Sequence, residues 1–523
     1  MNLVSGAFLA FIAVAMAVYM LTPNRHKWKI LLLFSLIFYA SSGFDKLMFI
    51  LGTSLVVYMC ARRMQGIYQE YDTLCAERKP SISEKRALMQ GYRKRCKRLL
   101  TAALLLCLGI LAYCKFGNRV VGKVGALIGR QWSVGIIVPL GVSYYTFSSI
   151  GYLLDVYWRK TSAGQSYPRL LLCMVYFPHI IEGPISRYQT LLPQLDTLTN
   201  PDWNRLCMGL QLTLWGYFKK LVIADRLGFF VADVFGNIYK NIGLTFVVAL
   251  VFGAFQIYAD FSGCMDIIYG ISEVFGIQLA KNFDHPFFSR SAAEFWRRWH
   301  ITLGAWFKDY VYVPVTTSSA VRKIRRMVVK RCGEAASKVV MTIIPLGTVW
   351  LLTGIWHGTG MGYVVWGMYW GALLICSSLL EEPIAKLSNV LRINTKSREW
   401  TMWQRFRTFC LYVIGLLFIL PNWIGNSVVV AQRIFMKFNP WIFWDQSLYT
   451  HGLDQRNFMV VILSILLLMY VDSLQERMNV REILSKQHIA VRWTVYLAGL
   501  FLVLILGIYG PGFEASAFIY EMY

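Results

Sequence analysis

Two histidines stand where the neighbouring residue types could support catalysis by an imidazole base. His300 lies in EFWRRWHITLGAWFKDY (294–310), which packs two arginines, three tryptophans, a lysine and two acids into an otherwise apolar chain. Ionisable groups at membrane depth are costly, so such a cluster marks a functional-site hypothesis. His357 lies in LLTGIWHGTGMGYVVWG (351–367), with Gly354, Gly358 and Gly360 around it. Glycine permits close backbone approach and would let a substrate pass near the chain. Desolvation disfavours a charged imidazole, so His357 is expected to stay neutral and to be able to act as a base. The alternatives are structural: His300 held by tryptophans, and His357 hydrogen-bonded across helices.

Helical spacing predicts that Trp296, Trp299, His300 and Leu303 share a face. Arg297 and Arg298 then point elsewhere, either to meet phosphates or to pair with Glu294 and Asp309. Contacts to substrate or donor are expected from Trp296, Trp299, Arg297, Arg298, Lys308, Asp309 and Trp356. Of the remaining histidines, His26, His451 and His488 fall in connecting segments. His179 and His285 adjoin prolines and either line the same cavity or serve packing. No histidine pair has metal-ligand spacing of the H-E-x-x-H kind, so no metal is expected. A G-x-S-x-G elbow, a P-loop and an H-x-x-x-x-D arrangement are also missing.

The elements that must position these residues are membrane helices. The chain is 56% hydrophobic and 15% aromatic, with a mean hydropathy of +0.48. Apolar runs of the length that crosses hydrocarbon recur from end to end, and the ten-residue alternation of a barrel is missing. The fold class is an all-α polytopic membrane protein. The net charge of +25 sits mostly in short segments between apolar runs, which fits the positive-inside pattern and not nucleic-acid binding. None of the eleven cysteines forms a C-x-x-C pair, and several, such as Cys107, Cys173 and Cys376, sit in apolar runs as packing residues.

Spans are expected at about 2–21, 28–42, 46–60, 99–116, 134–154, 205–224, 242–259, 338–356, 360–380, 404–421, 456–472 and 492–509. The first is read as a membrane helix and not a cleaved signal. Basic segments 61–98 and 316–336 are placed in the cytoplasm, which puts the amino terminus outside. Lys219 and Lys220, after Trp215, are expected to mark a membrane interface. The stretch 170–193 is apolar but broken by three prolines and carries His179, Glu182 and Arg187. It predicts a re-entrant or buried element lining a cavity. The whole chain, 1–523, reads as one integral-membrane domain.

The motifs in order are PLGVSYYTFSSIGYLLDVYWRK (139–160), YFPHIIEGPISR (176–187), GYFKKLVIAD (216–225), FQIYADFSGCMDIIYG (255–270), NFDHPF (282–287), EFWRRWHITLGAWFKDYVYVP (294–314), GIWHG (354–358) and the terminal FIYEMY. Together they resemble the membrane-bound O-acyltransferases, in the bacterial branch of alginate O-acetyltransferase-like proteins. The resemblance implies a multi-helix bowl with re-entrant or broken helices around a central funnel. It also implies two signature histidines, matching His300 and His357. Acetyl-coenzyme A would be the donor on the cytoplasmic side, with no permanently bound cofactor. The acetyl group would pass across a bacterial cytoplasmic (inner) membrane to a polysaccharide, with an esterase-like extracytoplasmic partner completing the transfer. Departures from the family pattern fall at Ile355, Cys264, Pro314-Val315-Thr316-Thr317 and Leu420-Pro421-Asn422. The second pair bears on which polymer and partner are served. In this reading His357 takes the acceptor proton, and His300 orients the acceptor or stabilises charge on the carbonyl oxygen. Two rivals are D-alanyl transfer from a carrier protein towards teichoic acid, and a non-enzymatic polysaccharide or lipid transporter. Against the transporter, the chain lacks an internal repeat.

Overall fold

A computed structural model describes residues 2–130 and 135–509. The terminal FIYEMY motif, with Tyr523 as a possible contact point, lies outside them. The described residues are predominantly helical, with one isolated antiparallel bridge between Phe283 and Trp299. Among the described residues, seven helices are long and apolar enough to cross a membrane. The protein is a multi-pass membrane protein.

Several helices start where a polar side chain takes up an amide group left open at the first turn. Ser81 and Glu84 form a reciprocal capping box at the head of the helix Ile82–Leu127. Ser318, Ser397 and Asp454 cap later helices by accepting from a first-turn amide, without the reciprocal bond. The apolar runs end less uniformly than expected. The run at 28–42 becomes the helix Lys27–Ala40, whose 14 residues rise about 21 Å, short of the roughly 30 Å hydrocarbon thickness. The helices Phe44–Arg78 and Ile82–Leu127 are instead 35 and 46 residues long, and their joined ends carry the basic segment 61–98.

The chain divides into two compact units, one of Met1–Gly209 with Ile268–Ala280, the other of Leu210–Ile267 with Lys281–Tyr523. In the first unit the prolines at 178 and 184 do what the sequence predicts. The helix Tyr167–Val175 stops, and residues 176–187 run as buried, non-helical chain. Side chains satisfy part of this backbone: Phe177 N–H donates to Ser35 Oγ at 3.1 Å, and Ser186 N–H to the Tyr144 hydroxyl at 3.4 Å. His179 is wholly buried there against the rings of Tyr144 and Tyr176, which is a packing position.

The second unit contains both His300 and His357. It also overturns the expectation for Lys219 and Lys220. They lie on a π-helical stretch, Phe218–Ala224, and are buried, not set at a membrane surface. Lys220 Nζ reaches Asp260 at 2.7 Å and Asp225 at 3.0 Å, while Lys219 reaches Asp266 at 2.7 Å and Ser262 at 3.0 Å. The carboxylates of Asp260 and Asp266, from the helix Leu244–Val274, make such burial possible.

Candidate active site

The segment expected to be one helix through His300 is two short helices, Ala292–Arg298 and Ile301–Phe307. Trp299 between them is extended and bridges to Phe283. Asp284 N–H donates to the Arg298 carbonyl at 2.9 Å, and Ile301 N–H to the Asn282 carbonyl at 3.0 Å. His300 then turns the chain with φ +47°, a left-handed conformation that costs a non-glycine residue about 1–2 kcal/mol. Its supports are polar and buried. Asn282 Oδ1 lies 3.1 Å from His300 Nδ1, 3.1 Å from the Thr302 amide nitrogen and 2.9 Å from Thr302 Oγ1. The predicted shared face of Trp296, Trp299, His300 and Leu303 is therefore not a continuous helical stripe, although all four residues line one cavity.

His357 is positioned differently. The helix Ser319–His357 is kinked at Gly333, whose φ is +84°, and its apolar part ends on His357. The next helix, Met361–Leu379, folds straight back on it. At Gly354 a Cβ would lie 2.5 Å from the Tyr363 carbonyl oxygen, and at Gly367 one would lie 2.4 Å from that of Trp350. These glycines bring two helix backbones together, as small residues do in membrane packing. That use differs from the substrate passage expected of Gly354.

The cavity has a volume of about 320 Å³ and is lined by Trp296, Trp299, His300, Leu303, Gly304, Phe307, Lys308, Tyr312, Leu346, Val349, Trp350, Thr353 and His357. Both histidines thus face one largely apolar space, at the small end of the range for small-molecule sites. Aromatic rings fix its wall. His300 stands edge-on to Phe261 at 4.9 Å, and His357 edge-on to Trp366 at 4.9 Å. Trp296 packs against Trp350, Trp366 and Trp370 at 4.8, 5.6 and 5.0 Å. The Trp356 ring, outside the lining set, lies 6.3 Å from His300 and 4.7 Å from His357. Burial pushes the His300 imidazole from the usual 6.5 down to about 3, so the ring is neutral at physiological pH.

Of the remaining expected contacts, Lys308 is exposed at the cavity and Asp309 follows it on the π-helical stretch Lys308–Tyr312, outside the lining set. Arg297 is exposed. Arg298 takes the pairing alternative, held at 2.9 Å by Glu294 and at 2.8 Å by Glu476. His285 does not line the cavity; its Nδ1 lies 3.5 Å from buried Asp472, which also accepts a 2.6 Å hydrogen bond from Tyr258. Among the described residues, no group of three or more metal-binding side chains is present. Sequence reasoning missed Asn282 and Thr353. Asn282 opens the NFDHPF motif, and a buried amide at the head of such a motif is the signal that could have flagged it.

Residues 162–329 match the model of the MBOAT, membrane-bound O-acyltransferase, family. The chain is 28% identical over 447 residues to a Pseudomonas aeruginosa protein named "Probable alginate O-acetylase AlgI", covering 84% of this chain and 75% of that one. A Helicobacter pylori peptidoglycan O-acetyltransferase is 29% identical over 309 residues, 53% of this chain and 55% of the relative. A Bacillus subtilis teichoic acid D-alanyltransferase is 26% identical over 288 residues, 54% of this chain and 67% of the relative. The family match spans the broken helices around His300, and the alginate O-acetylase match runs along most of the chain. This multi-pass protein is similar to the membrane-bound O-acyltransferases over residues 162–329 and to the alginate O-acetylases along most of its length, and it is an O-acyltransferase.

Proposed function

We propose that the protein transfers acetyl groups from cytoplasmic acetyl-coenzyme A, across the membrane, towards hydroxyls of an extracytoplasmic polysaccharide. The observation that carries this reading is that His300 and His357 line one apolar cavity of about 320 Å³. His357 takes the proton from the acceptor hydroxyl as its oxygen attacks the thioester carbonyl. The new C–O bond forms, the C–S bond breaks, and the leaving thiolate takes up a proton to become the free thiol. A base placed in this way contributes about 10²–10⁴-fold. His300 orients the acceptor or stabilises charge developing on the carbonyl oxygen. The tryptophan wall excludes water that would otherwise intercept the thioester. A cavity of this size takes the acyl end of the donor and leaves the nucleotide outside. There Lys308 and exposed Arg297 are the cations available to its phosphates.

An inner-membrane location and an esterase-like partner that finishes the transfer belong to the same reading. The alginate and peptidoglycan names of the relatives support a polysaccharide acceptor. The D-alanyltransferase relative supports a second reading, in which the donor is an aminoacyl carrier protein. One experiment separates them. Purified protein in detergent is given radiolabelled acetyl-coenzyme A or aminoacylated carrier protein, with membrane extracts supplying acceptor and partner. Acetyl release or transfer that vanishes in a folded His357→Ala variant is the expected result. Use of only the aminoacyl carrier would replace the acetyl reading. Full activity in His357→Ala would overturn the role of this histidine.

A further inference from the structure

We infer that Asn282 is the positioning residue of the site, setting both the place of His300 and the ring nitrogen that carries its proton. The inference rests on the reading that His300 takes part in transfer. The Thr302 backbone amide is a group that can only donate. Its nitrogen lies 3.1 Å from the Asn282 side-chain atom at the Oδ1 position, so that atom must be the amide oxygen and not its nitrogen. The Thr302 hydroxyl, 2.9 Å away, donates to the same oxygen. An amide oxygen accepts and never donates. The contact of 3.1 Å between it and His300 Nδ1 therefore requires a proton on Nδ1. Because burial keeps the ring neutral, it holds a single proton, and Nε2 carries the lone pair.

Asn282 also holds the backbone. Its carbonyl accepts from Ile301 N–H at 3.0 Å, so one residue grips the chain on the far side of the left-handed turn at His300 through both its main and side chains. Asn282 itself is fully buried, and its Nδ2 lies 3.4 Å from Met265 Sδ. A buried amide in this arrangement makes His300, which lines the cavity, a hydrogen-bond acceptor at Nε2. The imidazole is then suited to receive or hold the acceptor hydroxyl. It becomes a donor from that atom only after taking up a proton.

The test combines a spectroscopic readout with kinetics on the full-length protein in detergent or lipid discs. The protein is labelled with ¹⁵N-histidine, and His300 is assigned by difference from His300→Gln. The wild-type ring should show the Nδ1–H tautomer. Asn282→Ala should show a tautomer mixture or Nε2–H, with kcat lowered about 10- to 100-fold and a smaller change in KM. Asn282→Asp keeps the shape and the acceptor. It should retain Nδ1–H, recover much of kcat, and move the acid limb of the pH profile upward, since a carboxylate raises the imidazole pKa. Nδ1–H unchanged in Asn282→Ala, or an Nε2–H tautomer in wild type, overturns the inference. If Asn282→Ala does not fold, Asn282→Asp alone decides through its pH profile and tautomer: no upward shift, or loss of Nδ1–H, overturns it. Wild-type turnover in His300→Gln would instead defeat the catalytic reading of His300, while the tautomer assignment would stand or fall on the spectra alone.

Discussion

His300 and His357 reach the same cavity by unlike means. The His300 side is irregular chain. Two helices of seven residues each meet at an extended tryptophan and a left-handed histidine, joined by hydrogen bonds to Asn282 and anchored by Arg298 on Glu294 and Glu476. The His357 side is regular helix, set by the contact of its last turns with the following helix through Gly354 and Gly367. Polar bonds fix direction tightly but cost much when one partner goes, because the other is left buried and unsatisfied. Helix packing through glycines is insensitive to charge and intolerant of volume. The two histidines should therefore respond to different kinds of perturbation.

Removing the groups themselves is the largest test. His357→Ala should lower turnover about 10²–10⁴-fold, and His300→Ala should lower it by less if its task is orientation, measured as kcat on a common donor. Next comes volume on the helical side. Gly354→Ala places a methyl 2.5 Å from backbone oxygen and should destabilise by about 1–3 kcal/mol. On the same helix, Gly347→Ala meets nothing within 4 Å and should stabilise by up to about 1 kcal/mol. Thermal melts in one detergent compare the two, and equal shifts would refute the packing account. On the polar side, Arg298→Gln leaves Glu294 and Glu476 short of a cation and should cost about 1 kcal/mol, while exposed Arg297→Gln should cost almost nothing. The last effect concerns pH. Below about 6.5 the unfolded chain takes up a proton that folded His300 refuses down to about 3. Stability should therefore fall with falling pH through this window, and the slope should be shallower in His300→Gln.

Much of this is legible in the sequence because it is carried by local pattern. The helical membrane class follows from the apolar runs, and the break after Val175 from prolines 178 and 184. That His300 and His357 stand out from the rest of the chain can be read from their settings, and the structure brings them to one cavity. What escapes depends on partners distant along the chain. Nothing within EFWRRWHITL announces that its helix breaks at Trp299, because the bridging strand-like segment starts at Asn282. Arg298 reads as available for phosphate until Glu476, 178 positions away, is seen to hold it. Lys219 and Lys220 read as interfacial because, Asp225 apart, their counter-charges lie some 40 to 47 residues on, at Asp260 and Asp266.

Those lysines also bear on how the protein is made. A lysine or aspartate entering hydrocarbon alone near the centre of a helix costs about 2.5–3.5 kcal/mol. Lys219, Lys220 and Asp225 precede the turn into Leu244–Val274, which brings Asp260 and Asp266. With buried Arg226 counted, the group comprises three positive and three negative side chains, formally neutral only once both segments are present. Insertion one helix at a time would strand charge in lipid at each step. The two segments are better delivered as a pair, so during biogenesis the first should wait at the translocation channel until the second has been synthesised.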